Sequence, residues 1–140
     1  MILYYAYLRF CVDKYAIICI DDEVIILLAL VQELKRTFGD RFIYEKALNA
    51  EEAFSIMEDL SRDGIKVSFV ITDWLMPGMK GDEILEVVKK SSPGVKAIMI
   101  TGQADDEAID RVASNSSVIA VLQKPWSKQR LMELIESHCV

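Results

Sequence analysis

Residues 67–77 read Val-Ser-Phe-Val-Ile-Thr-Asp-Trp-Leu-Met-Pro, an apolar run that stops abruptly at an aspartate. Such a run, almost without polar interruption, suits a parallel strand buried on both faces. YAIICI at 15–20 and KAIMIT at 96–101 have the same character. The spacing predicts five strands, at Tyr15–Ile20, Phe42–Ala47, Val67–Thr72, Lys96–Thr101 and Val118–Gln123. Helical patterning falls between and after them, near residues 24–38, 50–62, 81–91, 104–114 and 127–138. Strand–helix alternation repeated five times implies an α/β domain, a five-stranded parallel sheet with helices on both faces.

Several boundaries have local causes. Asn49 followed by Glu52 has the form of a capping box. Gly39 and Gly64 stand where helices should stop. Pro93-Gly94 interrupts the chain before the fourth strand, and Ser127 is placed to cap the last helix. The first helix opens VIILLALV, apolar nearly all round. Its core face is read as Val24, Leu28 and Val31, leaving Ile26 or Leu30 toward solvent. Trp126 reads as a packing residue of the last helix, with an output surface as the other option.

Bulk properties narrow the function. The chain has 140 residues and a net charge of −6, from 16 lysines and arginines against 22 acids. That length fits one domain. An acidic surface without a basic cluster disfavours direct nucleic-acid binding. The cysteines, Cys11, Cys19 and Cys139, are three and form no metal-binding spacing, so they read as reduced thiols of a cytoplasmic protein. Residues 1–13 are an N-terminal extension and residues 14–140 the domain proper. The apolar part of the extension is shorter than the roughly 20 residues that cross a bilayer, so no membrane association is expected. His138 has no expected catalytic role.

In an open parallel sheet, ligands bind beyond the carboxyl ends of the strands. There the first strand delivers Asp21, Asp22 and Glu23, the third Asp73, the fourth Thr101 and the fifth Lys124. Clustered carboxylates repel one another and call for a counter-charge. A hard divalent cation with oxygen ligands supplies it; Mg²⁺ suits this donor set, and Mn²⁺ is its natural substitute. Metal, ammonium and hydroxyl together would neutralise charge during phosphoryl transfer. Any one of these residues alone would be an ordinary turn or cap residue. Their conjunction at strand ends carries the reading.

Asp21-Asp22, the segment DWLMPGMKGDE from Asp73 to Glu83, Thr101-Gly102 and Lys124-Pro125 together resemble the receiver domains of two-component response regulators. The resemblance covers about residues 14–138. It implies a flavodoxin-like fold with strand order 2-1-3-4-5 and a phosphoacceptor at Asp73. It implies metal ligation by Asp22 and Asp73, by Asp21 through metal-bound water, and by the backbone carbonyl of Leu75. Thr101 and Lys124 would hold phosphoryl oxygens, and the Lys124–Pro125 peptide would be cis. Gly81 would let the third helix start tightly. The implied partners are a sensor histidine kinase or phosphotransfer protein, docked in part on the first helix, and an unidentified downstream protein, with a homodimer as an option. Such a domain is a signalling phosphoacceptor and not a turnover enzyme.

Two residues depart from the family pattern. Val121 stands where an aromatic switch residue is usual, so the signal is expected to pass through Thr101 and the following loop and helix. Leu75 stands at an often polar position.

Three other functions fit the sequence less well. A haloacid-dehalogenase-type phosphatase needs a second acid at position 75, where this chain has leucine. An FMN-binding flavodoxin needs a phosphate-cradling loop after the first strand, and Asp-Asp-Glu is its electrostatic opposite. A receiver-like module that only binds partners has no need of the intact set Asp22, Asp73, Thr101 and Lys124. Whether the domain acts alone or within a longer protein is open from sequence.

An apolar side chain at position 75 cannot orient a hydrolytic water, although Gln103 stands close enough in sequence to compensate. The acyl phosphate of the isolated domain is therefore predicted to outlast the scale of seconds. Loss of the phosphoryl group within seconds, followed by mass spectrometry, would contradict this.

Overall fold

The computed structural model describes residues 15–102 and 106–139. The expectations for residues 1–13, Cys11 and Gln103 lie outside these. Five strands, β1 (Tyr15–Ile20), β2 (Phe42–Ala47), β3 (Lys66–Asp73), β4 (Lys96–Thr101) and β5 (Val118–Gln123), form one sheet. The helices are α1 (Val24–Phe38), α2 (Ala50–Arg62), α3 (Gly81–Ser91), α4 (Asp106–Val112) and α5 (Lys128–His138). All pairings are parallel and the order is β2-β1-β3-β4-β5, as the resemblance implied.

β1 shows how the sequence makes two cores. Its side chains alternate across the sheet. Ile17 and Cys19 join Phe69, Ile71, Ile98 and Ile100 beneath α1 and α5. Ala16, Ile18 and Ile20 join Val70, Ala97 and Met99 beneath α2, α3 and α4. A strand covered on both faces has no use for alternating polarity, which is why these runs are continuously apolar.

The helix ends follow their capping residues. Asn49 accepts from the backbone N–H of Glu52 at 2.9 Å, and Glu52 reaches back to the N–H of Leu48 at 2.7 Å, one residue earlier than a standard capping box. Ser127 accepts from the N–H of Arg130. Gly39 and Gly64 take positive φ just past α1 and α2, a backbone region open to glycine. β3 starts one residue earlier than expected and includes Asp73. α4 ends at Val112 instead of 114, because Ala113 and Asn115 turn back onto Asp110 and Val112.

The face of α1 differs from the sequence expectation. Leu27, Leu30, Val31, Leu34 and Phe38 are buried, whereas Val24 and Leu28 are half exposed. Leu30, a candidate for solvent, is 3% exposed, and Ile26 is only partly buried. The octet VIILLALV gives no phase, since every face of it is apolar. The amphipathic second half, QELKRTF, sets the phase through Leu34 and Phe38, and a 3.6-residue repeat carries that stripe back to Leu30 and Leu27. Trp126 packs at the edge of the α1/α5 core and donates its indole N–H to Glu33 at 3.0 Å.

This phase is testable by urea unfolding. Leu30→Ala should cost about 2–5 kcal/mol by cavity formation. Ile25→Ala, at a site 83% exposed, should stay within about 0.5 kcal/mol. A larger loss at Ile25 than at Leu30 would reverse the assignment.

Candidate functional site

Strand order decides which residues meet. β1 and β3 are neighbours, so Asp21 and Asp22, just past the end of β1, stand beside Asp73 at the end of β3. One carboxylate oxygen from each of the three lies within 4.8 Å of the others. Lys124 arrives from β5 and must cross the end of β4 to reach them. Its backbone N–H is held by the carbonyl oxygen of Thr101 at 2.7 Å, and Thr101 is buried. The Lys124 Nζ lies 2.9 Å from Asp21 Oδ2 and 3.4 Å from Asp73 Oδ1, with Glu23 Oε1 at 4.0 Å. Asp73 thus shares the ammonium with Asp21, which lies nearer.

The three aspartates are not equivalent. Asp21 is buried and both its oxygens are engaged, Oδ1 by the Glu23 N–H at 2.8 Å and Oδ2 by Lys124. Asp22 is exposed. Asp73 is 7% exposed, and its Oδ1 accepts from the N–H of Trp74 at 2.9 Å. Burial pushes the Asp73 carboxyl up from 3.8 to about 6, and the Asp21 carboxylate adds to the rise. Lys124 and the Trp74 N–H oppose it. Lys124 moves the other way from what burial alone would dictate. Desolvation works against its charge, but the bonds to Asp21 and Asp73 outweigh it and hold its pKa above the ordinary value.

The segment after Asp73 turns tightly. The Trp74 carbonyl accepts from the Gly81 N–H at 2.7 Å. A Cβ on Gly81 would collide with the Asp73 carbonyl oxygen and come within 3.0 Å of the Trp74 Cα, so only glycine fits where α3 begins. Gly78 takes a positive φ in the same loop, and Lys124–Pro125 is cis. Met76 is buried, whereas Leu75 is 51% exposed, at the position where a dehalogenase-type phosphatase would need an acid. Val121 is partly buried against the core beneath α2, α3 and α4.

Sequence reasoning missed Asp82, which takes the Trp74 indole N–H at 3.1 Å. The two are eight positions apart, and nothing in their spacing announces the contact until the loop is closed at Gly81. It also missed Glu23 as a partner of Lys124.

The family model for the response regulator receiver domain matches residues 17–136. The chain belongs to the response regulator receiver family. This receiver is 26% identical to chemotaxis protein CheY-3 of Vibrio cholerae, over 85% of the chain and 88% of that protein. It is 28% identical to the sensor kinase CckA of Brucella abortus over 86% of the chain, but only 12% of the kinase. Four curated relatives are matched over 12% to 40% of their length. Among solved structures, a CheY-like receiver domain protein from Methanospirillum hungatei superposes with a TM-score of 0.75 at 30% identity, covering 90% of this chain and 93% of that one. Among the described residues of the receiver, no helix is long and apolar enough to cross a membrane.

The Asp73 shift has a defined sign in stability. Below pH 3.8 the carboxyl is protonated in both folded and unfolded chains. Between 3.8 and about 6 the unfolded chain ionises first, so the metal-free fold loses stability as pH rises through that window. Asp73→Asn is predicted to raise the stability of metal-free protein by about 1–3 kcal/mol at pH 8, with little change at pH 3.5. Equal urea midpoints for variant and wild type at pH 8 would contradict the shift.

Proposed function

We propose that this receiver accepts a phosphoryl group on Asp73 from the phosphohistidine of a sensor histidine kinase or phosphotransfer protein, and that the product changes the binding of a downstream protein. The observation carrying this reading is the ammonium of Lys124, placed between the Asp21 and Asp73 carboxylates in a three-carboxylate cluster. An acid at a strand end is common. An acid beside a cation that reaches across another strand is less common, and that cation can turn to an incoming phosphoryl oxygen.

In the transfer, a carboxylate oxygen of Asp73 bonds to phosphorus. The P–N bond of the phosphohistidine breaks, its electron pair stays on the imidazole nitrogen, and the ring takes a proton from water to leave as neutral imidazole. Asp73 Oδ1 is engaged by the Trp74 N–H, which leaves the second oxygen as the attacking atom. Lys124 then exchanges part of its contact with Asp73 for a phosphoryl oxygen. The Thr101 hydroxyl donates to another, and its movement reports the phosphoryl group to the β4–α4 segment, since Val121 offers no aromatic switch.

Three carboxylates against one ammonium leave negative charge, and an all-oxygen donor set of this kind fits Mg²⁺, with Mn²⁺ as substitute. Asp22 and Asp73 would ligate it directly with the Leu75 backbone carbonyl. Asp21, both of whose oxygens are already engaged, would act through metal-bound water. The cation supplies charge neutralisation for the cluster and for the incoming phosphoryl oxygens.

In this reading the domain, residues 14–140, is a cytoplasmic signalling module. Any phosphatase activity it has is confined to its own acyl phosphate. What lies downstream depends on the whole protein in which it works.

Incubation with Mg²⁺ and acetyl phosphate should add one phosphoryl group by intact mass, with none on Asp73→Ala. Lys124→Ala should lower the yield at least about tenfold, as expected when a charged group stabilising the transferred phosphoryl is removed. A wild-type chain that stays unmodified both with acetyl phosphate and with phosphorylated histidine phosphotransfer domains would overturn the reading.

A further inference from the structure

Trp74 is tied to four partners around the acceptor. Its N–H faces both Asp73 Oδ1 and the Ile100 carbonyl oxygen, each at 2.9 Å. Its carbonyl oxygen accepts from Gly81 at 2.7 Å, and its buried indole donates to Asp82 at 3.1 Å. Residues 75–80 therefore leave Trp74 and return to it. Gly81 closes the loop through the backbone, and Asp82, in the first turn of α3, closes it through the side chain.

A buried indole N–H requires a partner, and a carboxylate acceptor makes the bond roughly twice as strong as a neutral one. The loop is thus held at both ends, and Met76 is buried between them. Leu75 lies between two anchored residues, so its backbone has little freedom even though its side chain faces solvent. The Asp73 carboxylate is fixed by the same Trp74 backbone that the loop closes upon.

We infer that Trp74 and Asp82 form a positioning pair, whose bond holds loop 75–80, and with it the Asp73 carboxylate and the Leu75 carbonyl, in the arrangement that Mg²⁺ and the phosphoryl group require. This rests on the phosphoacceptor reading above. Neither residue touches the reacting atoms through its side chain, so both act by orientation.

The test compares four variants of the full chain. Asp82→Ala removes the acceptor, and Asp82→Asn keeps an acceptor oxygen without the charge. Trp74→Phe removes the donor but keeps an aromatic ring. The fourth is the Trp74→Phe/Asp82→Ala double variant. Mg²⁺ affinity is read from amide NMR shifts, Gly81 amide exchange is read in metal-free protein, and phosphorylation is read with acetyl phosphate. Asp82→Ala and Trp74→Phe should each weaken Mg²⁺ binding about tenfold, the usual scale for residues that orient metal ligands. The double variant should be no weaker than either single one, because both remove the same bond. Gly81 exchange should quicken in Asp82→Ala, and Asp82→Asn should restore most of the affinity.

Losses that multiply in the double variant would overturn the pair in favour of two independent contributions, and Asp82→Asn as weak as Asp82→Ala would overturn it in favour of a plain charge effect. Unchanged affinity and exchange in Asp82→Ala would overturn it outright. Should Trp74→Phe not fold, the Asp82→Ala and Asp82→Asn comparison still decides. A wild-type chain that neither binds Mg²⁺ nor takes a phosphoryl group defeats the reading of Asp73 itself. A wild type that does both, matched by Asp82→Ala, defeats only the positioning pair.

Discussion

The repulsion among carboxylates at the end of the sheet is the constraint around which this molecule is arranged. Three aspartates within 4.8 Å would not be held together by a protein without compensation. Among the described residues the Lys124 ammonium reaches them, and it comes from the far side of β4. Adjacent strands are about 4.8 Å apart, so a residue on β5 is roughly two spacings from β3. Only a long, flexible cationic stem can span that gap, and the strand it crosses must end in something small. Thr101 meets that condition, and its carbonyl oxygen fixes the Lys124 backbone in place.

The remaining geometry follows from bringing backbone close to a charged group. The chain after Asp73 has to clear the site and start a helix within a few residues. Gly81 permits this because the Asp73 carbonyl occupies the volume a side chain would need. Each aspartate then meets a different environment, although the three have the same chemistry. Asp21 is saturated by a backbone N–H and a lysine, Asp22 is open to solvent, and Asp73 is buried with its pKa raised to about 6. The difference among them comes from the fold and not from residue type.

The fold was largely legible in the sequence because strands covered on both faces leave a strong mark. YAIICI and KAIMIT could be bounded to the residue, and β3 was displaced by only one at each end. The acidic cluster was legible for a related reason. Topology guarantees that residues at the carboxyl ends of parallel strands gather on one edge, so their meeting needs no knowledge of side-chain angles. Two things were not legible. The phase of α1 was obscured because a uniformly apolar octet carries no periodicity; Leu34 and Phe38 held that information. The Trp74–Asp82 bond was obscured because it depends on the path of a loop, which local pattern does not encode.

The alternation of β1 has a consequence for how such a chain diverges. Ile17 and Cys19 belong to one hydrophobic layer, while Ala16, Ile18 and Ile20 belong to the other. The sheet backbone separates the layers, so a change of volume on one side is absorbed there, and sites without shared partners respond additively. Each layer can therefore exchange its apolar side chains on its own schedule, provided total volume is kept. The carboxyl edge, where both layers end, has no such latitude.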